Sequence, residues 1–125
     1  MLKKFIFSLT AIMALSLVAM AYDGDAKLEG VIVDKNCATG KVPKQGGDVQ
    51  TAAANESRGC ILMDSCYKSG LGVYSGGKYY LFDAKGNALG KAALEKSKKD
   101  KGAKFIVTGK VTGDTIAVEN ITEVE

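Results

Sequence analysis

The sequence predicts a small, mainly β domain with two short helices: a five-stranded barrel with a long helix-containing insertion between strands 1 and 2. Three observations carry this. Short β-branched or aromatic runs stand at Leu28–Asp34, Leu71–Ser75, Lys78–Asp83, Lys104–Thr112 and Thr115–Val124. Two gaps between them are Gly76-Gly77 and Gly113-Asp114, dipeptides that supply the positive φ of tight hairpin turns. One stretch rich in Ala, Leu, Glu and Lys, Ala88–Lys99, separates the third run from the fourth.

The chain opens with a segment outside this fold. Met1-Leu2-Lys3-Lys4 is basic, Phe5 to Met20 is almost wholly apolar, and Ala19-Met20-Ala21 is a small-x-small cleavage site. That is the pattern of a secretory signal peptide over 1–21. The apolar run is shorter than the roughly 20 residues of a membrane span, and no cysteine follows the cut. The expected product is a single domain, 22–125, with no membrane span, exported to the periplasm or beyond the cell. The chain holds 17 basic and 14 acidic residues; two of its lysines lie in the leader, so the domain carries +1. Near-neutral charge excludes nucleic acid as the expected partner, because phosphate binding needs a basic patch.

Leu28–Asp34 (LEGVIVD) is the first strand. Lys35 to Arg58 is a long polar loop holding the only proline, Pro43, and a Gly46-Gly47 pair, with one helical turn expected in Val49–Ala54. Loops beyond roughly 12–15 residues are uncommon in compact domains and are often functional. Ser57–Lys68 reads as one short helix stopped by Gly70. After the central hairpin, Asn87 suits the cap of the second helix. The lysines 96, 98, 99 and 101 stand where that helix ends and offset its dipole.

In the last hairpin, Val111 should face Ile116 and Gly109 should face Val118. Counted on from there, Ile106 meets Ile121 on the other side. A switch of buried face conflicts with a period of two and calls for a bent strand or a bulge. Five strands with a helix between the third and fourth is the order of an OB-fold barrel; an open sheet packed on a helix is the alternative.

The runs VDKNC (33–37), CILMDSCYKSGLGVYSGGKYYLFDAKGN (60–87) and VTGKVTGDTIAVENI (107–121) resemble a group of small exported bacterial proteins of uncharacterised function. The resemblance implies an OB-like barrel and no particular chemistry. Such proteins often carry a histidine near the second cysteine, and this chain has no histidine.

That lack removes Ser-His and Cys-His nucleophile pairs, histidine-ligated zinc and blue-copper sites. GVYSGGKY (72–79) ends in Tyr where a phosphate loop needs Ser or Thr, and Ser75-Gly76-Gly77-Lys78 lies in a turn where Ser-x-x-Lys needs a helix. No residue set argues for an enzyme. The acids 34, 64, 83 and 114 form no calcium loop and read as solvated surface.

The cysteines remain. In an oxidising compartment Cys37, Cys60 and Cys66 leave one odd thiol. In a continuous helix Cys60 and Cys66 would rise about 9 Å apart and point about 120° apart. They should not bond unless the helix breaks between them. The favoured reading joins Cys37 to one of them, tying the insertion to the barrel for about 3–4 kcal/mol in the loop-entropy model. The other reading is a metal site for Cu(I) or zinc with Cys37, Cys60 and Cys66, and Met63 as an extra ligand, or a thiol-redox site. Tyr74, Tyr79 and Tyr80 form a possible ligand face on the central hairpin, for a glycan, a small molecule or another envelope protein. The leading expectation is thus an exported, non-catalytic binding or structural module without a cofactor, with the cysteine-based metal or redox protein as the alternative.

Overall fold

A computed structural model of the chain describes residues 24–41 and 49–124. The leader 1–21 and the loop positions Pro43, Gly46 and Gly47 lie outside them. Among the described residues, no helix is long and apolar enough to cross a membrane.

The fold is mainly β. Five strands, β1 (Gly24–Asp34), β2 (Leu71–Ser75), β3 (Lys78–Phe82), β4 (Lys104–Thr112) and β5 (Thr115–Glu123), form one mixed sheet that closes in a ring in the order β1-β2-β3-β5-β4. The helices are α1 (Val49–Asn55), α2 (Arg58–Ile61), α3 (Asp64–Ser69) and α4 (Ala84–Lys96), and a π-helical turn spans Asn36–Lys41. β1 is longer than expected. Its first half, with Asp25, Lys27 and Glu29 outward between Ala26, Leu28 and Gly30, pairs with β4 from Gly24 to Val31. Its last residues, Val31 to Asp34, pair with β2. One strand therefore serves two neighbours, and a short parallel contact of Leu81 and Phe82 with Thr115 and Ile116 completes the ring.

Inside the ring sit Ile32, Leu71, Val73, Phe105, Val107, Val111, Ile116 and Val118. Leu94 of α4 joins them. Burying such side chains contributes on the order of 1.5–3 kcal/mol each.

The last hairpin has the expected irregularity, with one pairing corrected. Val111 faces Ile116 and Gly109 faces Val118, but Val107, not Ile106, faces Ile121. The register shifts at Thr108/Gly109, where Thr108 meets Asn120 and Glu119 is the extra residue. β4 keeps one inward face, with Phe105, Val107, Gly109 and Val111 all buried, and β5 alone changes parity after Val118.

Two helix expectations are also corrected. The cap of α4 is Asp83, whose Oδ1 accepts from the Gly86 amide at 2.9 Å. Asn87 lies inside the helix, and its Oδ1 instead accepts from the Leu71 amide at 2.8 Å, tying α4 to β2. And Ser57–Lys68 is not one helix. The chain leaves α2 at Ile61, Met63 turns extended (φ −57°, ψ 141°), and α3 starts afresh at Asp64.

The insertion has its own small core on the outside of the ring. Val33, which faces away from the barrel interior, packs with Ala38 and Ala53, flanked by Val31, Cys37, Tyr74 and Tyr79. A second anchor joins Ser57 to Lys101 in a β-bridge, and the Arg58 amide donates to the Asp100 carbonyl at 2.8 Å. The Arg58 guanidinium reaches the Ser97 and Leu94 carbonyls at the end of α4.

Candidate functional site

Asp34 is the last residue of β1 and is fully buried, 0% exposed. Its Oδ2 accepts from the Cys37 amide at 3.1 Å, which starts the π-helical turn. A carboxylate three residues before an open amide is the ordinary local use of Asp at a helix start. That bond uses one oxygen. The other, Oδ1, is buried without a partner, and so is Oε1 of Glu56, which follows α1. Buried carboxylate oxygens without partners are costly, so such a pair calls for a proton or a cation.

The third member is Cys37. One ligand atom each from Asp34, Cys37 and Glu56 lie within 4.8 Å of one another. Cys37 and Cys60 both interact with the Glu56 carboxylate, and Cys60 stands beside the trio without belonging to it. Packing explains the convergence. β1 delivers Asp34, the π-helical turn delivers Cys37, and Ala53 of α1, buried on Val33, brings Glu56 back to the end of β1. Ser57 caps α2 by accepting from the Cys60 amide at 3.2 Å and holds Cys60 within reach.

The shifts of Glu56, Cys37, Cys60 and Tyr79 are all upward. Burial, and after it the adjacent Asp34 carboxylate, pushes the Glu56 carboxyl up to about 7, against a partial offset from the two thiols. Burial, then the charges of Glu56 and Asp34, pushes the Cys37 thiol up to about 12. Cys60 is raised by burial and then by Glu56, with a smaller push from Cys66. Tyr79 is raised by burial and by the same acids. No basic group figures among these causes. A protonated Cys37 is a poor nucleophile, since the thiolate is the reactive form.

Tyr79 supports the site from outside. Its ring crosses Gly72, whose missing Cβ would stand 2.6 Å from the Tyr79 hydroxyl oxygen, and that hydroxyl donates to the Val33 carbonyl at 3.0 Å. The three tyrosines of the hairpin are divided. Tyr74 and Tyr79 pack on the outer cluster with Cys37, and Tyr80 packs on the barrel core beneath Lys78. Tyr74 also lines a separate groove of about 380 Å³ with Glu29, Ser75, Gly76 and Lys104.

The sequence singles out the three cysteines and Met63. Cys37, Cys60 and Cys66 are free, partly buried thiols. Met63 turns outward, 55% exposed. The two carboxylates were missed. Asp34 read as a solvated strand-end acid; the legible signal was its position one residue past a β-branched run and three before a cysteine. Glu56 carried no local signal, because only the fold of the insertion brings it to Asp34.

No family model, curated protein or solved structure matches this chain.

Proposed function

We propose that this chain is an exported, non-catalytic OB-like module whose working part is a zinc-type metal centre, with Asp34, Cys37 and Glu56 as ligands and Cys60 as the fourth. One observation supports it above the rest: Asp34, Cys37 and Glu56 each bring one ligand atom within 4.8 Å of the others, each of the two carboxylates has a buried oxygen without a partner, and no basic group figures among the causes of the raised pKa values. Burial and the neighbouring acids hold the protons on Glu56 and Cys37 until a cation replaces them. Two oxygens and two sulfurs suit zinc, which accepts Asp, Glu and Cys in a tetrahedron. Cu(I) prefers sulfur alone, and Met63, the soft ligand it would recruit, faces solvent. The ion would take the part the sequence gives to a disulfide, clamping the insertion to the end of β1.

The test is zinc titration of the reduced chain by competition with a chromophoric chelator. Tight binding of one zinc by the chain, lost in Asp34→Asn and Cys37→Ser and kept in Met63→Ala, supports the centre. Equal binding by wild type and both ligand variants overturns it.

A second reading rests on the 380 Å³ groove, where Tyr74 and Lys104 could hold a glycan or peptide of the envelope. Tyr74→Ala would abolish such binding and leave zinc affinity unchanged.

A further inference from the structure

This inference does not depend on the metal centre, which sits at the far end of the same strand. β1 serves two neighbours, and that leaves part of it open. Val31 to Asp34 pair with β2, while Gly24 to Gly30 pair with β4 alone. Among the described residues, no strand runs along the other side of Gly24–Gly30. Successive backbone groups of a strand point to alternate sides. The Lys35 amide, just past β1, donates to the Gly70 carbonyl at 2.8 Å, and the Glu29 carbonyl accepts from Ser75 Oγ at 2.7 Å. The odd-numbered residues therefore turn their backbone groups toward the β2 side. Asp25 and Lys27 do so beyond the place where β2 ends.

An open edge is a template for another strand, and proteins commonly blunt it with charge. Here the charges alternate in sign. Asp25, Lys27 and Glu29 stand exposed on the outer face, while Ala26 and Leu28 on the inner face are only partly buried at the rim of the core. We infer that two copies of the chain pair through this edge, antiparallel, with Ala26 on the two-fold axis. The register follows by elimination. The edge bonds through its odd-numbered residues, so odd stands opposite odd. Centring on Asp25 or on Lys27 sets that residue against its own copy, like charge on like charge. Centring on Leu28 sets the second copy's Ala26 against Gly30, in the lane where Ser75 already stands, since Tyr74 faces Val31. Centring on Ala26 sets Asp25 against the second copy's Lys27, twice by symmetry, and Gly24 against Leu28. That ladder stops short of Ser75 and covers the half-exposed Leu28. A ladder from Gly24 to Leu28 is a small interface, so the dimer is of the weak, reversible class.

The experiment is sedimentation equilibrium of the chain expressed from its full sequence. Chelator and reductant are present, so that neither zinc nor thiols join two copies. The wild type should pass from monomer to dimer as its concentration rises into the millimolar range, and amide exchange at Lys27 should slow as it does. Asp25→Lys and Lys27→Asp should each weaken dimerisation about tenfold or more, because each sets like charges opposite one another twice. Mixed in equal amounts, the two variants should dimerise about as well as the wild type, because opposite charges then meet across both pairs. Asp25 also lies opposite Lys110 of β4, and recovery in the mixture separates lost pairing from a weakened fold. A wild type that stays monomeric at every concentration overturns the inference and leaves the edge to another segment of this chain or to a foreign strand. A dimer that both single variants keep, or exchange at Lys27 that does not follow concentration, overturns this edge as the contact. Variants that stay monomeric when mixed overturn the charge pairing.

Discussion

Glu56 gives the site its pH dependence. Its carboxyl moves from an ordinary 4.5 to about 7, so the metal-free fold holds a proton that the unfolded chain releases earlier. The sign follows. That stabilisation is full below about 4.5 and is lost as pH rises through about 7. Thermal melts in chelator should therefore show the melting temperature falling across this window, and Glu56→Gln should flatten the fall. A slope unchanged in Glu56→Gln would remove Glu56 as its cause. At the proposed centre zinc would reverse the trend, because binding would expel the proton, so affinity should rise with pH through the same window. Burial is the first cause of the Glu56 shift and Asp34 the next, so Asp34→Asn should bring Glu56 part of the way back toward the ordinary carboxylate range. Tyr79→Phe removes one donor to the Val33 carbonyl and should cost about 1 kcal/mol, read by denaturant unfolding.

The strands and hairpins were largely legible, because period two, glycine turns and β-branched runs are local signals. Gly76 and Gly77 take φ of 58° and 82°, as the tight turn requires. The misses came from tertiary contacts. Asn87 looked like a cap, yet Asp83 starts α4 and also accepts from the Val118 amide at 3.2 Å, a cross-link no local pattern records. Asp83→Ala should therefore cost more than a simple cap loss of about 1 kcal/mol, measured by denaturant midpoint; a cost of only a few tenths would contradict this. The parity switch of the last hairpin was readable, but not the strand that bears it; the bulge falls at Glu119 in β5. The break at Leu62–Met63 was not readable, because the residues around it all tolerate a helix. It depends on α3 docking against the π-helical turn through Asn36 and Ser69. Gly72→Ala tests the outer face of the central hairpin. A Cβ there would collide with the Tyr80 carbonyl and the Tyr79 ring, so about 1–3 kcal/mol should be lost and the Tyr79–Val33 bond broken.

The whole molecule is a closed ring of strands with an insertion folded onto one side of it. The sequence made the insertion conspicuous by its length and polarity, and raised the question of what pins it. It pointed to sulfur alone. The carboxylates escaped notice because a buried acid looks like a surface acid until the chain is folded. Asp34 lies in a strand and Glu56 follows it by 22 positions. The proposed clamp at that point would join the insertion to β1, and an ion held there would add RT ln(1 + [L]/Kd) to stability. At a hundredfold excess over Kd this is about 2.7 kcal/mol. For a domain of this size, that should raise the melting temperature by about 10 °C or more. The most direct measurement is native mass spectrometry of the reduced full chain with zinc added, beside Asp34→Asn and Cys37→Ser. The account predicts one zinc on the wild-type chain and none retained by either variant. A wild-type chain that stays metal-free in excess zinc, or variants that hold the ion equally well, would contradict it.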